Sequence, residues 1–351
     1  MTFNGFWDLL VTLMVVKLSS HQSAGLYSPS LKLKMQCSRV VLTKGLPLSD
    51  RDEMKAFSYR SVLDEVLRRV EARLGNLEEY PIPTELQATT SEPRKGVAMR
   101  TSTVGYKVGP LRQLRAALIE PQLASDENQC NESLTINAEL PLFPKVLNLV
   151  AFPDPSLRIP VFGADLVTLP NGHLVAIDLH PMLPPDDHHS EVILRGVKNV
   201  YDQYQVRPDA SLSQSPRSLS SFCDSRGILP LPWGGDLPDE ALPFFSPCAV
   251  WTRLPLNDAG QATLEGPICG QGVLDDGILF EYLNIFLDIA ADAWALRQKG
   301  KEISGKRTYA AAQKAYSQYR AEKDPARAML IRMHGEEWTE QLIKEVLFDF
   351  R

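Results

Sequence analysis

The middle of the chain decides the fold, and from Lys145 to Leu179 it reads KVLNLVAFPDPSLRIPVFGADLVTLPNGHLVAIDL. Three apolar runs within it have the length and composition of strands: Lys145–Phe152, Ile159–Leu169 and His173–Leu179. Asn171-Gly172, between two of these runs, is a strong signal for a two-residue hairpin turn. The stretch therefore predicts three consecutive strands, of which the last two are antiparallel.

Hydrophobic periodicity outside this stretch predicts further strands, and helices at both ends of the chain. Three more runs have strand composition: Met99–Lys107, Gln113–Ile119 and Ser246–Leu254. Four segments have apolar residues at helical spacing: Asp52–Gly75, Leu279–Gln298, Tyr309–Lys323 and Glu336–Phe348. This order favours an α/β fold, a three-layer α/β/α sandwich with a central antiparallel β-sheet flanked by helices.

The first 45 residues have the composition of a targeting sequence. Phe6–Val16 is an apolar run of signal-peptide length, and Ser19–Lys44 is rich in Ser, Leu and Lys and free of acids, as transit peptides are. Together they predict import into the plastid stroma; the alternative is a disordered tail with one apolar patch. No other segment is long enough to span a bilayer, so no membrane anchor is expected in the mature form.

The remainder, residues 46–351, is predicted to be a single domain with polar loops inserted near 124–142 and 206–229. The chain has a net charge of −6, and residues 1–48 contain one acid and five bases. The rest therefore carries about −10. Phosphate contacts need clustered Lys and Arg, so an acidic domain of this kind is not expected to bind nucleic acid.

Motifs for binding a redox cofactor are absent from the sequence. The five cysteines lie far apart without a Cys-x-x-Cys pair, which argues against an iron–sulfur cluster or a structural zinc site. Glycine-rich nucleotide-binding loops are also missing. The run Asp186-Asp187-His188-His189 has no second ligand cluster and is interpreted as a solvated loop rather than a metal site. A redox enzyme of this kind would take its electrons from a partner.

Two polar residues, Asn148 and Asp165, interrupt otherwise apolar strands. A buried carboxylate is costly unless it is paired, faces a cavity or is protonated. Desolvation raises the pKa of such a group, which lets it donate a proton near neutral pH. The alternative is that Asp165 lies at a strand end and satisfies a turn.

A second candidate site is formed by Arg320 and Asp324, which are four residues apart and share a face if the helix reaches that far. Pro325 disfavours continuation of the helix, which leaves Asp324 at its end. An acid there is unfavourable for the helix dipole, and an unfavourable placement suggests a function. A surface salt bridge between the two side chains is the alternative.

Several segments of the chain resemble the ferredoxin-dependent bilin reductases, in order and in spacing. The resemblance covers the chain from about Asp52 to the C-terminus. It is carried by Phe162–Thr168, Pro230–Asp236, Phe244–Pro247, Lys323–Leu330, Gly335–Trp338 and Val346–Asp349. Among the branches of the family, the chain is most similar to the one that converts 15,16-dihydrobiliverdin to phycoerythrobilin.

The resemblance implies that a bilin lies between the central sheet and the C-terminal helices. Asp165 matches the family's proton-donating aspartate of the central sheet, and Asp324 its second catalytic aspartate. Asn148 stands where the phycocyanobilin-forming branch has a catalytic histidine. Arg320 is expected to support Asp324, and Arg327 or a nearby Lys to pair with a propionate of the bilin.

The resemblance also implies a partner and a reaction. An external [2Fe–2S] ferredoxin would supply electrons one at a time to an enzyme without a bound cofactor, and the upstream bilin reductase is a candidate partner for substrate channelling. The expected reaction is reduction of the A-ring diene system of 15,16-dihydrobiliverdin. The alternatives are a phytochromobilin synthase, an enzyme that makes 15,16-dihydrobiliverdin from biliverdin, and a non-enzymatic bilin carrier.

Overall fold

A computed structural model describes residues 57–94, 96–123, 143–182, 188–204, 231–235, 237, 239–270, 276–300 and 306–350. The chain divides into two units, Met1–Phe57 and Ser58–Arg351, and every described element belongs to the second. The predicted targeting segment, residues 1–45, and both predicted inserted loops, 124–142 and 206–229, lie outside the described residues.

The central layer is an antiparallel sheet of eight strands. In chain order they are β1 Glu78–Glu79, β2 Ala88–Thr90, β3 Val97–Val108, β4 Leu111–Leu123, β5 Lys145–Pro153, β6 Val161–Leu169, β7 Gly172–His180 and β8 Val250–Leu254. They lie in the order β1-β3-β4-β5-β6-β7-β8, and β2 also pairs with β3. The predicted antiparallel hairpin is confirmed, but its turn lies one residue earlier than predicted: β6 and β7 pair up to Leu169 opposite Gly172, so Pro170-Asn171 forms the two-residue turn.

Helices cover both faces of the sheet. They are α1 Tyr59–Leu74, α2 Thr84–Gln87, α3 His188–Tyr204, α4 Asp258–Thr263, α5 Ile278–Gln298, α6 Lys306–Glu322, α7 Arg327–His334 and α8 Glu336–Leu342. The last of these continues as a π-helical turn, Ile343–Leu347. In the described part of the chain, no helix combines the length and hydrophobicity of a transmembrane span.

The side chains of adjacent strands divide between two layers, because directly opposed residues share a face and successive residues alternate. On one face, Phe162 of β6 stacks on Phe286 of α5 with ring centroids 5.6 Å apart. On the other face, Val150 and Phe152 of β5 pack against Tyr316 of α6. This arrangement confirms the predicted α/β/α sandwich.

Local signals in the sequence fix both ends of α1. Ser58 and Ser61 form a capping box at its N-terminus. Gly75 ends the helix with φ of 104°, a conformation that glycine adopts without a steric penalty, and its N–H donates to the Glu71 carbonyl. The buried stripe between these ends holds α1 against the sheet, and the Tyr59 hydroxyl lies 2.8 Å from Thr168 Oγ1 of β6.

The structure differs from the sequence prediction at the start of β8 and at α3. The strand predicted from Ser246 begins only at Val250, because the Ser246 N–H and hydroxyl bind Asp178 of β7 and Ala249 N–H closes a turn onto the Ser246 carbonyl. Helix α3 was not predicted, and His188 and His189, interpreted as a loop, begin it. Among the described residues, no group of three His, Cys, Asp or Glu side chains is arranged to hold a metal ion.

Candidate active site

The register of β5 and β6 places Asn148 directly opposite Asp165, with both side chains on the face covered by α6. Asn148 Nδ2 donates a hydrogen bond to Asp165 Oδ1. Asp165 lies within β6, which extends four residues to either side. The alternative that it satisfies a turn at a strand end is therefore wrong.

Arg320 reaches this pair from α6, the helix that covers the strands. Its Nη2 donates to Asp165 Oδ2 over 3.3 Å, and both side chains are largely buried, with 12% and 15% of their surface exposed. The expected partner of Arg320 was Asp324. The hydrogen bond instead crosses from helix to sheet, so Arg320 joins the two layers at Asp165.

Asp324 follows the end of α6, as Pro325 in the sequence suggested. Its Oδ1 accepts a hydrogen bond of 2.7 Å from the Ala326 N–H. Burial raises the pKa of Asp324, while the charge of Arg320 and the Ala326 hydrogen bond oppose this shift. A carboxyl group in such surroundings holds its proton more readily than an ordinary aspartate does, as a proton donor must.

Arg327, a further predicted site residue, lies outside this network. Its guanidinium forms an ion pair with Glu340 of α8 and donates to the carbonyl of Ala321. It lines a separate, open groove together with Glu322 and Lys344. The structure thus brings Asn148, Asp165 and Arg320 into hydrogen-bond contact and places Arg327 elsewhere.

Sequence reasoning missed Arg115 of β4, which extends the network on its other side. Its Nη1 donates to Asn148 Oδ1. The side chain is fully buried and lies over the Phe348 ring, with the guanidinium carbon 5.0 Å from the ring centroid. A continuous chain of hydrogen bonds therefore runs from Arg115 through Asn148 to Asp165, where Arg320 meets it.

A second polar group, Asp178 and His180 of β7, lines the same narrow crevice as Asp165 and Arg320. Asp178 Oδ2 accepts from the Ser246 N–H over 2.8 Å, and His180 Nδ1 lies 2.9 Å from the Phe244 carbonyl. His180 Nδ1 is also 3.3 Å from Asp178 Oδ2. Both side chains are almost fully buried.

The crevice requires a glycine at position 163 of β6. A Cβ atom there would lie 2.6 Å from His180 Nε2, closer than real Cβ contacts allow. The His180 ring also contacts Tyr316 of α6, with centroids 4.7 Å apart. The Tyr316 hydroxyl is buried without a hydrogen-bond partner among the described residues, and burial raises its pKa.

One signal in the sequence, a polar residue within an apolar strand, would have found these side chains. It identified Asn148 and Asp165, and it applies equally to Arg115 within Leu114–Leu118 and to Asp178 within Val175–Leu179. Buried polar groups are costly unless they are satisfied, so their presence in strands marks a network.

The chain was compared with known proteins at the level of family, sequence and fold. The family model for ferredoxin-dependent bilin reductases matches residues 63–349. Phycoerythrobilin:ferredoxin oxidoreductase of Synechococcus sp. strain RCC307 is 36% identical over 278 residues, 78% of this chain and 85% of the relative. The protein of the same name from Prochlorococcus marinus strain MIT 9211 is 35% identical over 302 residues, 85% of this chain and 95% of the relative.

A solved structure with the same fold is selenomethionine phytochromobilin synthase from tomato in complex with biliverdin. It is 22% identical in sequence and has a TM-score of 0.54 over 84% of this chain and 83% of that one. The family model covers almost the whole of the described part of the chain and includes Asn148, Asp165, Arg320 and Asp324. With relatives above 30% identity over most of its length, this protein belongs to the ferredoxin-dependent bilin reductases and is an oxidoreductase of that family.

Proposed function

We propose that this reductase converts 15,16-dihydrobiliverdin to (3Z)-phycoerythrobilin by reducing the A-ring diene system. The relatives named phycoerythrobilin:ferredoxin oxidoreductase, which match most of the chain, support this choice of step. The observation that carries the proposal is a pair of carboxyl groups in different surroundings, Asp165 on the sheet and Asp324 on the helical layer that covers it.

The two carboxyl groups would have different roles in the reaction. Reduction of the diene adds two electrons and two protons to the bilin, so each electron is accompanied by one proton. Asp324, whose pKa is raised by burial, is the leading proton donor to a carbon of the diene. Once it has given up its proton it is reprotonated from solvent, which returns the enzyme to its starting state.

Asp165 would hydrogen-bond or protonate the pyrrole and lactam groups of the bilin. Both its oxygens accept hydrogen bonds, Oδ1 from Asn148 and Oδ2 from Arg320. Fixed donors around one carboxyl group hold it in one orientation, and orientation decides which bond of a conjugated substrate is reduced. Arg327 would contact a propionate only after leaving Glu340.

We propose an external [2Fe–2S] ferredoxin as the electron donor and no cofactor bound to the reductase itself. A negatively charged ferredoxin would dock on a local basic patch, although the chain as a whole carries −6. Surface charges are screened by salt. The reduction rate at a fixed ferredoxin concentration should therefore fall as ionic strength rises, and a rate independent of salt would contradict this mode of docking.

The experiment that tests the proposed step is an anaerobic assay with reduced ferredoxin, in which biliverdin and 15,16-dihydrobiliverdin are supplied side by side. Products are identified from absorption spectra and chromatography against standards. We expect 15,16-dihydrobiliverdin to be consumed and phycoerythrobilin to form, while biliverdin binds without being reduced.

Each other outcome identifies a different protein. Conversion of biliverdin to 15,16-dihydrobiliverdin would indicate the preceding enzyme, and conversion of biliverdin to phytochromobilin would indicate the synthase. A spectral change on binding, with no consumption of either bilin, would indicate a carrier. All three results contradict the proposal.

Residues 1–45 are proposed to direct the protein to the plastid stroma, where the upstream bilin reductase would pass on its product. The acid-free stretch after the apolar run Phe6–Val16 supports this location. Fusion of residues 1–45 to a fluorescent protein in plastid-containing cells tests it. Fluorescence in the cytosol would contradict the proposal.

A further inference from the structure

We propose that Arg115 is a positioning residue of the active site: it fixes the orientation of the Asn148 amide and thereby keeps Asp165 a hydrogen-bond acceptor. The inference rests on the proposed function, because it assigns a role within the same bilin site. Three contacts carry it: Arg115 Nη1 donates to Asn148 Oδ1, Asn148 Nδ2 donates to Asp165 Oδ1, and Arg320 Nη2 donates to Asp165 Oδ2.

Stability does not account for an arginine at this position. Its side chain is fully buried, and its Nε and Nη2 atoms have no hydrogen-bond partner in the described part of the chain. In the described part of the chain it contacts the amide of Asn148 and the ring of Phe348, and the attraction of the Asp165 and Asp324 carboxyl groups is opposed by the charge of Arg320. Burying a guanidinium costs more than one hydrogen bond to a neutral amide returns. An apolar residue would pack there at lower cost in free energy. The guanidinium is therefore explained by a role in the active site and not by stability.

The guanidinium determines which end of Asn148 faces Asp165. Arginine only donates hydrogen bonds, whereas the asparagine amide has one accepting end and one donating end. Because Arg115 occupies the accepting Oδ1, the donating Nδ2 must point to Asp165. A flipped amide would place two donors, Arg115 and Asn148 Nδ2, against each other.

The fixed amide in turn restricts Asp165. With Asn148 donating to one oxygen and Arg320 to the other, both oxygens of the carboxyl group act as hydrogen-bond acceptors. Asp324, across the site, retains its proton more readily, because burial raises its pKa. The two carboxyl groups therefore have different hydrogen-bonding surroundings, and Arg115 contributes to those of Asp165 without forming a hydrogen bond to it.

The titratable and charged groups around Asp165 come from three elements and one loop. They are Arg115 of β4, Asp178 and His180 of β7, Tyr316 and Arg320 of α6, and Asp324 after α6. Among these, Arg115 acts on Asp165 through an intervening amide. Its removal therefore changes the hydrogen bonding of Asp165 and leaves the direct Arg320 contact in place.

The test compares Arg115→Met with Arg115→Lys in the full chain. The absorption spectrum of bound 15,16-dihydrobiliverdin is titrated with pH, and the rate of its reduction is measured over the same range. In Arg115→Met the donor that orients Asn148 is lost, so the amide can turn its Oδ1 towards Asp165, and a carboxyl group can only pair with that oxygen by donating a proton to it. The pH of the spectral transition should therefore move upward. The rate at neutral pH should fall about 10- to 100-fold, as for a displaced catalytic group. Lysine, like arginine, only donates hydrogen bonds. Arg115→Lys should therefore keep the spectral transition and the reduction rate close to those of the wild type.

Arg253→Met is the control, because Arg253 is a half-buried arginine on a strand of the same sheet, and its guanidinium lies over an aromatic ring, that of Trp251. It should leave the spectral transition unchanged. If Arg115→Met does not fold, Arg115→Gln replaces it. Its amide can present either end to Asn148, so the same upward shift is expected.

A double-mutant cycle separates positioning from a direct effect of charge. If Arg115 acts through Asn148, adding Arg115→Met to Asn148→Leu should cause no further shift of the spectral transition. An additional shift in that background, or an unchanged transition in Arg115→Met alone, would overturn the proposal. Failure of the wild-type protein to reduce the bound bilin would instead contradict the proposed function, and the spectral titration would still report on Arg115.

Discussion

The two faces of the central sheet are built from the same strands but have different contents. On the face covered by α1 and α5, Phe162 stacks on Phe286, and the buried polar groups include a short chain from Tyr59 through Thr168 to His173. On the face covered by α6 to α8, polar and charged side chains come from four neighbouring strands, β4 to β7. The first face contributes mainly to stability. The second buries charged side chains, which lowers stability but supplies the groups of the active site.

The largest effect expected from the comparison is the loss of turnover in Asp324→Asn. The amide keeps the shape of the side chain and can still accept the Ala326 hydrogen bond, but it has no proton to give. Removal of a general acid lowers the rate by about 10²- to 10⁴-fold. Bilin binding, followed by absorption spectra, should be retained. Full turnover by this variant would contradict the assignment of Asp324 as the proton donor.

A substitution on the opposite face should lower stability and leave turnover almost unchanged. Phe162→Ala removes a fully buried ring that stacks on Phe286 and should lower the free energy of unfolding by about 3–5 kcal/mol. Denaturant titration measures this loss. The turnover number of the folded fraction should remain close to that of the wild type, and a large fall in it would show that the two faces are not independent.

Gly163→Ala adds a single methyl group and should affect both stability and the bilin site. The new Cβ would lie 2.6 Å from His180 Nε2, so the ring must move. Overpacking of this kind costs about 1–3 kcal/mol. Because His180 lines the crevice beside Asp165, the spectrum of the bound bilin should change as well. Gly196→Ala, where a Cβ meets nothing within 4 Å, is the control.

The smallest expected effect is on stability, and its sign is opposite to that of most substitutions. Because burial raises the pKa of Asp324, the folded state holds this proton more tightly than the unfolded chain does. Stability is then fully present below the ordinary aspartate pKa and falls as pH rises through the folded value. Asp324→Asn removes that fall, so the variant should be more stable than the wild type at neutral pH and no more stable in acid. Thermal unfolding at both pH values measures the difference.

Periodicity predicted the sheet and its helical cover, because apolar alternation and helical spacing are local properties. It misplaced the start of β8, since Ser246 is bound by Asp178, which lies 68 residues earlier in the chain. It also missed α3, where the charged run at residues 186–189 suggested a loop.

The candidate site, too, was predictable where it depends on local sequence and not where it depends on long-range packing. Asn148 and Asp165 were recognisable as polar residues in apolar strands. The partners of Arg320 and Arg327 could not be recognised, because these contacts depend on how α6 and α8 pack. Arg115 escaped notice since a long side chain can reach solvent from a strand, and the sequence does not reveal that this one is buried.

The pairing of β5 with β6 has a consequence for how the length of this chain can change. Deleting one residue from the middle of β6 would turn Asp165 towards Phe286 and bring an apolar neighbour into the crevice. Insertions in the exposed turn Pro170-Asn171 leave the pairing of β5 with β6 intact and should be tolerated. A library of single-residue insertions and deletions should therefore show a sharp contrast, with activity surviving in the turn and vanishing within the two strands.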